Sequence, residues 1–228
     1  MSSVVDTPSF FSPLIELATE LSSQWHDGTY RKNRWRDRPF ETPGNEHVRV
    51  PVMAHVTSVA MIVQRAGWDD VTIAAAFLHD VIEDANRFGS ELRAQDLAST
   101  IGTEVTERVL EVTEDKYDTQ GKPRPWKIRK VDYLSRLETA SDEGVAISVA
   151  DKLHNCWTMN RAMARGMNIF VRGPHRSALN AGPEEQIWYF REVLRIVHSR
   201  TDERLTRLGV RLADEVDRFE EYARSFEV

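Results

Sequence analysis

The chain has 228 residues, enough for one domain or two small ones, and its 41% hydrophobic and 29% charged residues are typical of a globular protein. Its net charge of −6 argues against a broad nucleic-acid-binding surface, and its apolar runs all fall short of the ~20 residues that span a membrane. Because the start of the chain lacks the features of a signal peptide and the single cysteine, Cys156, cannot form an internal disulfide, we expect a cytoplasmic protein.

Apolar residues recur at helical spacing along most of the chain, and no stretch alternates long enough to predict a sheet. Ser12 is a suitable N-cap for the first helix, Gly67 a suitable stop for the second, and Asp69 a suitable cap for the third. A His-Asp pair at 26–27 has no apolar run before it and is interpreted as a helix end. The predicted helical segments cover residues 12–25, 52–67, 69–85, 92–101, 103–115, 124–140, 144–164, 184–200 and 202–225.

Two polar segments, residues 33–50 and 165–183, interrupt this helical pattern. Both are long for plain connections, and long loops in compact domains are often functional. Neither divides the chain, and the sequence contains no internal repeat. We therefore predict one all-α domain over residues 1–228 with no substantial sheet, in which residues 1–10 are disordered and residues 201–228 form a C-terminal helix.

The segment AAAFLHDVIEDAN, residues 74–86, places an imidazole and three carboxylates in an otherwise apolar stretch. If one helix continues through it, His79 lies one turn from Glu83, and Asp80 lies one turn from Asp84. Burying unpaired carboxylates costs several kcal/mol each, so in practice they pair, lose their charge or bind a cation. A histidine beside an aspartate suits Mn²⁺, Fe²⁺ or Zn²⁺. The segment therefore predicts part of a divalent-metal site.

Further ligands must come from other segments. His55 interrupts the apolar helical stretch VMAHVTSVAMIV, and Asp151 ends the apolar run VAISVAD. Taken alone, the first has a simpler explanation as a hydrogen-bonded core histidine and the second as a solvent-facing cap. Three apolar segments that are each interrupted by a metal-type ligand favour one shared site of His55, His79, Asp80 and Asp151.

The order of these ligands resembles the H…HD…D pattern of HD-domain metal-dependent phosphohydrolases. More narrowly, the chain resembles the ppGpp hydrolase domain of the RelA/SpoT family, which includes small alarmone hydrolases made of that domain alone. AAAFLHDVIED is similar to the family's AALLHDxxED, EVTEDK to VTxDK, VADKLHN to LADKLHN, and HDGTYRK to HxGQxRK. WYF at 188–190 resembles a late aromatic stretch, and the match covers residues 14–200. The chain departs from the family before His55, where the connection is longer and the family's proline after the histidine is missing.

The resemblance implies an HD-domain helical bundle in which the four ligands bind one divalent metal ion, Mn²⁺. It implies hydrolysis of the 3′-diphosphate of ppGpp and pppGpp, and it assigns the acidic pair Glu83 and Asp84 to orienting or deprotonating water and protonating the leaving oxygen. A solvated helix end is the simpler explanation of that pair. The residues that this interpretation places at the substrate are Arg31, Lys32, Lys116, Lys152, Asn155 and Tyr189.

Two alternatives stay open. One is an HD phosphohydrolase acting on another phosphorylated nucleotide, such as a deoxynucleotide, an adenosine alarmone or NADPH, which the unusual 33–54 segment allows. The other is a non-catalytic alarmone-binding module, against which the intact ligands and acidic pair argue. We expect a small-molecule nucleotide as partner, no nucleic acid and no membrane, and a monomer or homodimer. We expect the last helix to pack on its own domain, with a dimer contact as the second choice.

Overall fold

The computed structural model describes residues 10–37, 47–173 and 177–226. The side chains of residues 32–37 and 47–48 lie outside this description, and with them the side chain of Lys32. The disorder expected for residues 1–10 falls almost wholly outside it as well, and it stays a prediction.

The part of the chain that the structure describes contains nine helices. They are α1 (Pro13–Trp25), α2 (Met53–Ala66), α3 (Asp70–Leu78), α4 (Ala94–Ile101), α5 (Thr103–Val112), α6 (Trp126–Thr139), α7 (Asp142–Met163), α8 (Pro183–His198) and α9 (Glu203–Arg224). Ser12 Oγ accepts a hydrogen bond from the N–H of Ile15 at 3.4 Å, and an Asp69 oxygen accepts one from the N–H of Thr72 at 2.9 Å. Gly67 ends α2 with φ of 90°. None of these helices is both long and apolar enough to cross a membrane.

A two-stranded antiparallel sheet occupies the ends of the segment that we expected to be a polar loop. Strand β1 (Tyr30–Asp37) pairs with β2 (His47–Pro51), with an irregularity in register between Tyr30 and Trp35. In such a ribbon each strand pairs along one edge, and neither face has to be buried in a core, so the pairing needs no clear alternation of apolar and polar residues. The prediction of an all-α fold without a substantial sheet is confirmed, whereas the expectation of irregular structure throughout residues 33–50 is wrong.

Buried side chains from every described helix form one core cluster. Helix α7 runs through it, and all its residues from Gly144 to Lys152 are buried. Helix α9 packs against α7 and α8, as expected from its apolar stripe. Fully burying one such side chain contributes about 1.5–3 kcal/mol. Cys156 belongs to this interface, where its thiol donates to the carbonyl of Glu215 at 3.3 Å, so it serves packing.

Helix α3 ends at Leu78, and the expectation of one helix through residue 85 is wrong. The N–H of Val81 donates to the carbonyl of Leu78 at 3.1 Å, a spacing of three residues that breaks the helical ladder. His79 Nδ1 lies 2.7 Å from the carbonyl oxygen of Ala76, which a continuing helix would offer to the N–H of Asp80. The imidazole thus replaces a backbone donor, and a turn rather than helical periodicity places the acidic residues that follow.

Candidate active site

Four side chains from three different helical segments meet at one point. His55 comes from α2, His79 and Asp80 from the end of α3, and Asp151 from α7. His55 Nε2 lies 3.0 Å from an Asp151 oxygen and 3.8 Å from an Asp80 oxygen. His79 Nε2 lies 3.3 Å from an Asp80 oxygen and 4.0 Å from the Asp151 oxygen. The structure therefore brings together all four residues predicted as metal ligands, a donor set that suits a divalent transition-metal ion.

The hydrogen bonding of His79 fits a metal ion at this point. Its Nδ1 must donate, because the Ala76 carbonyl oxygen 2.7 Å away can only accept, so the neutral ring presents a lone pair at Nε2. That Nε2 is buried and has no hydrogen-bond partner in the described part of the chain, and an Asp80 oxygen lies 3.3 Å from it. Leaving a buried polar atom unsatisfied costs free energy, which a cation would recover.

The pKa shifts of the two histidines also fit a metal ion at this point. Burial, with Arg31 nearby, lowers the pKa of His55 to about 4, which keeps its ring neutral and able to act as a ligand at pH 7. Burial also opposes the charged form of His79, but the carboxylates of Asp80 and Asp151 outweigh it and raise the pKa of His79. The site therefore favours positive charge between these carboxylates.

His154 is a site residue that sequence reasoning missed. Its Nδ1 lies 2.7 Å from Nδ1 of His55, so it holds the ring nitrogen of His55 that faces away from the other ligands. Its own ring stacks on Trp157, with the ring centroids 6.3 Å apart. The available signal was its spacing, since a residue three positions after Asp151 on a helix lies on nearly the same face.

We expect His154→Ala to weaken metal binding about 10- to 100-fold, the usual effect of removing a group that orients a ligand histidine. His154→Asn should retain most of the affinity, because the asparagine amide can occupy the position of Nδ1. Titration calorimetry with Mn²⁺ measures both. Equal affinity of His154→Ala and the wild type would show that His55 needs no such partner.

The acidic pair lies beside the metal ligands and is held by a lysine. Lys116 Nζ lies 3.2 Å from Glu83 Oε1 and also donates to Asp84 Oδ1. The backbone N–H of Glu114 donates to Glu83 Oε2 at 3.2 Å. Burial raises the pKa of Glu83 although Lys116 opposes it, which makes this carboxylate a stronger base than a surface glutamate. The partial burial of Glu83 and its contacts with two donors argue against the simpler explanation of the acidic pair as a solvated helix end.

A cleft of about 440 Å³ opens next to these residues, and it is lined by every predicted site residue whose side chain the structure describes. Asn155 occupies a central position, because its Nδ2 donates to Asp151 Oδ1 and its Oδ1 accepts from Arg31, both at 2.5 Å. Lys152 Nζ donates to Asp151 Oδ2 at 2.6 Å. Asn155 and Lys152 thus orient the predicted ligand Asp151 in addition to facing the cleft.

Three cleft residues from α6 and the loop before it were not predicted. Glu114 is buried and accepts hydrogen bonds from both Arg129 and Lys130. All three line the cleft. The signal for the two basic residues was the stretch WKIRK, in which Arg129 and Lys130 follow an aromatic residue by about one helical turn, a weak pattern by itself.

The His-Asp pair at 26–27 is a helix end, as interpreted, because His26 is the C-cap of α1. His26 is nevertheless buried, and burial lowers its pKa although the charges of Asp80 and Asp84 act in the opposite direction. The end of α1 therefore lies near the acidic residues of the site.

A family model of the HD domain matches residues 39–171, more than half of the chain. A GTP pyrophosphokinase of Streptomyces coelicolor is 28% identical over 221 residues, which cover 89% of this chain and 23% of that protein. The guanosine-3′,5′-bis(diphosphate) 3′-pyrophosphohydrolase MESH1 of Xenopus tropicalis is 29% identical over 120 residues, which cover 52% of this chain and 61% of that protein. The matches thus span less than two thirds of the length of these relatives.

Two solved structures share the fold. One is a metazoan orthologue of SpoT described as hydrolysing ppGpp, with a TM-score of 0.57 and 21% identity over 94% of this chain and 97% of the other. The second is a protein from Listeria monocytogenes, with a TM-score of 0.59 and 24% identity over 75% of this chain and 98% of the other. At these identities the likeness concerns the arrangement of the helices.

Proposed function

The chain belongs to the HD-domain family, and on that premise we propose that it hydrolyses the 3′-diphosphate of ppGpp and pppGpp, releasing GDP or GTP and diphosphate. The observation that carries the proposal is the meeting of His55, His79, Asp80 and Asp151 beside an acidic pair in a cleft that also contains several cations. The names of the MESH1 relatives support the choice of substrate. The pyrophosphokinase relative matches this chain over 23% of its own length, so its name bears less on this domain.

We propose that the four ligands hold one Mn²⁺ ion, which suits two imidazoles and two carboxylates. When bound, such an ion supplies Lewis-acid activation of the attacking water and neutralises charge on the phosphoryl oxygens. The chain's own part is orientation: Lys152 and Asn155 hold the two oxygens of Asp151, and His154 holds His55. We also propose a cytoplasmic location, where the protein would meet such a nucleotide.

The acidic pair supplies proton transfer. Glu83, held by the N–H of Glu114 and raised in pKa by burial, accepts a proton from the attacking water. The new bond forms between the water oxygen and the phosphorus next to the ribose, and the bond from that phosphorus to the 3′ oxygen breaks. As that bond breaks, the acidic pair returns a proton to the 3′ oxygen, a step that we assign to Asp84. Lys116 lies between the two carboxylates and keeps both facing the cleft.

The direct test is hydrolysis of ppGpp by the purified protein with Mn²⁺, compared with the Asp80→Ala variant. We expect the wild type to release GDP and diphosphate far faster than the variant. A panel of pppGpp, a deoxynucleoside triphosphate, an adenosine alarmone and NADPH runs alongside. If the wild type hydrolyses ppGpp no faster than the variant does but hydrolyses another compound of the panel faster, that compound is the substrate. Binding of ppGpp without turnover would indicate a binding module.

We expect Lys116→Ala to lower kcat/KM for ppGpp about 10- to 100-fold, because charge-assisted contacts contribute about 1.5–3 kcal/mol. Lys122→Ala is the matched control, since this exposed lysine lies in the same loop outside the cleft. A singly charged phosphoester should be affected much less than ppGpp. An equal loss on both substrates would show that Lys116 acts only by holding the acidic pair and does not also recognise phosphate.

A further inference from the structure

One wall of the cleft, formed by α6, α7 and α8, combines lysines with aromatic rings. Apart from Lys152, which orients Asp151, its residues have no role in the steps above. Lys130 Nζ lies 4.8 Å from the centre of the Tyr189 ring and 5.9 Å from the centres of the Trp126 and Tyr133 rings. Lys152 Nζ lies 4.6 Å from the centre of the Tyr133 ring. All five residues line the cleft. We call them the cation–aromatic wall.

At this wall the cations outnumber the carboxylates with which they form direct ion pairs. Lys152 is paired with Asp151, while Lys130 and Arg129 share the single carboxylate of Glu114. Three cations therefore face two carboxylates, and one of these, Asp151, is also a proposed metal ligand. Burial and the neighbouring Lys152 lower the pKa of Lys130, although the carboxylates of Glu114 and, more weakly, Glu83 oppose the shift. A buried cation needs a full counter-charge, and a bound anion would complete it.

The wall also contains a hydroxyl group without a partner. The hydroxyl of Tyr133 donates to Ser148 Oγ at 2.7 Å and lies 3.3 Å from Lys152 Nζ. Tyr189, by contrast, is only 4% exposed, and its buried hydroxyl has no hydrogen-bond partner among the described residues. Buried tyrosine hydroxyls usually find an acceptor. A ligand oxygen in the cleft would supply it.

Asp151 separates this wall from the other side of the cleft. Its Oδ2 faces Lys152, whereas its Oδ1 accepts from Asn155, which in turn accepts from Arg31. In ppGpp the outer phosphate of the 3′-diphosphate is one bridging oxygen from the attacked phosphorus, while the 5′-diphosphate is separated from it by the ribose. A phosphate site that begins at a metal ligand therefore fits the outer phosphate of the 3′-diphosphate.

We propose that Lys130, Lys152 and Tyr189 form a subsite for the outer phosphate of the group that is released as diphosphate. The inference rests on the proposed function, and it adds Lys130 to the substrate-binding residues. It also gives Glu114 a positioning role, because its carboxylate holds Lys130 while its backbone N–H holds Glu83. The general chemistry that the subsite recognises is a phosphoanhydride whose second phosphate carries negative charge.

The test compares binding of inorganic diphosphate with that of inorganic phosphate, by titration calorimetry on the metal-loaded protein with free metal removed. We expect a single phosphate to bind at the metal and diphosphate to span the metal and the subsite, so the ratio of the two affinities reports on the outer phosphate. We expect Lys130→Gln and Tyr189→Phe each to lower this ratio about tenfold, the effect of one lost charged hydrogen bond. Lys127→Gln, an exposed lysine on the same helix that does not line the cleft, should leave the ratio unchanged.

An unchanged ratio in both Lys130→Gln and Tyr189→Phe would overturn the subsite, even if ppGpp is hydrolysed. A lowered ratio in a protein that does not hydrolyse ppGpp would instead retain the subsite and reject the proposed substrate. Lys130→Arg keeps the charge and should restore the ratio. If Lys130→Gln fails to fold, Tyr189→Phe decides the question alone, because it removes one oxygen atom from a side chain whose ring stays in place.

Discussion

Replacing Asp80 by alanine is expected to abolish stoichiometric metal binding and to lower kcat/KM for ppGpp at least about 10³-fold. Asp80 approaches both histidine ligands, with oxygens 3.3 Å from His79 Nε2 and 3.8 Å from His55 Nε2. Its loss therefore removes a ligand and one of the two carboxylate charges that favour a cation there. Metal content by mass spectrometry and the kinetics of GDP release give the two measurements.

Asp70→Ala is the matched control, because Asp70 is an exposed carboxylate in the first turn of α3, at the other end of the helix that leads into the site. We expect it to keep the metal and the activity. His79→Ala should behave like Asp80→Ala, since Nε2 of His79 is the buried nitrogen without a partner. Retention of one metal ion per chain by both site variants would reject this ligand assignment.

The double variant Glu83→Gln with Asp84→Asn is expected to keep the metal and the fold and to lower kcat about 10²- to 10⁴-fold, the usual range for lost proton transfer. Both substitutions preserve shape, and neither residue belongs to the four ligands. A general base must be deprotonated, so the activity of the wild type should rise with pH as Glu83 ionises. Because burial raises the pKa of Glu83, that rise lies above the pH of an ordinary glutamate.

Glu83→Gln alone should remove this pH-dependent rise, and Glu83→Asp should restore part of it. Metal content and the thermal melting temperature, measured on the same preparations, separate a chemical defect from a structural one. Full turnover by the double variant would contradict the assigned role. Loss of metal by the double variant would place the acidic pair among the groups that maintain the metal site.

Local sequence was sufficient for most helices and for the identity of the site segments. Ser12, Gly67 and Asp69 lie at the helix ends where their side chains or backbone freedom suit them, because capping depends on neighbours within a few residues. His55 and Asp151 were recognised as candidate ligands because burying a polar side chain in an apolar run costs free energy unless it has a partner. The same motifs carried the resemblance to the HD domain, which the family match confirms.

Local sequence failed where a side chain competes with the backbone. The apolar period of α3 predicts a helix through residue 85, but the imidazole of His79 takes the Ala76 carbonyl and the helix ends at Leu78. Periodicity describes which face is apolar and contains no information about such competition. The short strands on either side of residues 38–46 were not predicted for a related reason, because backbone pairing between segments determines them more than side-chain pattern does.

Sequence by itself therefore determined the helical fold, the family and the residue types of a metal site. Tertiary structure alone decided how they are assembled: His154 meets His55 across 99 positions of sequence, and Arg31 meets Asn155 across 124. It also placed Lys130 and the unpartnered hydroxyl of Tyr189 on one wall of the cleft. Contacts between segments so distant in sequence depend on how whole helices pack against each other. That packing is a property of the complete core, and no single residue carries a sequence pattern that reveals it.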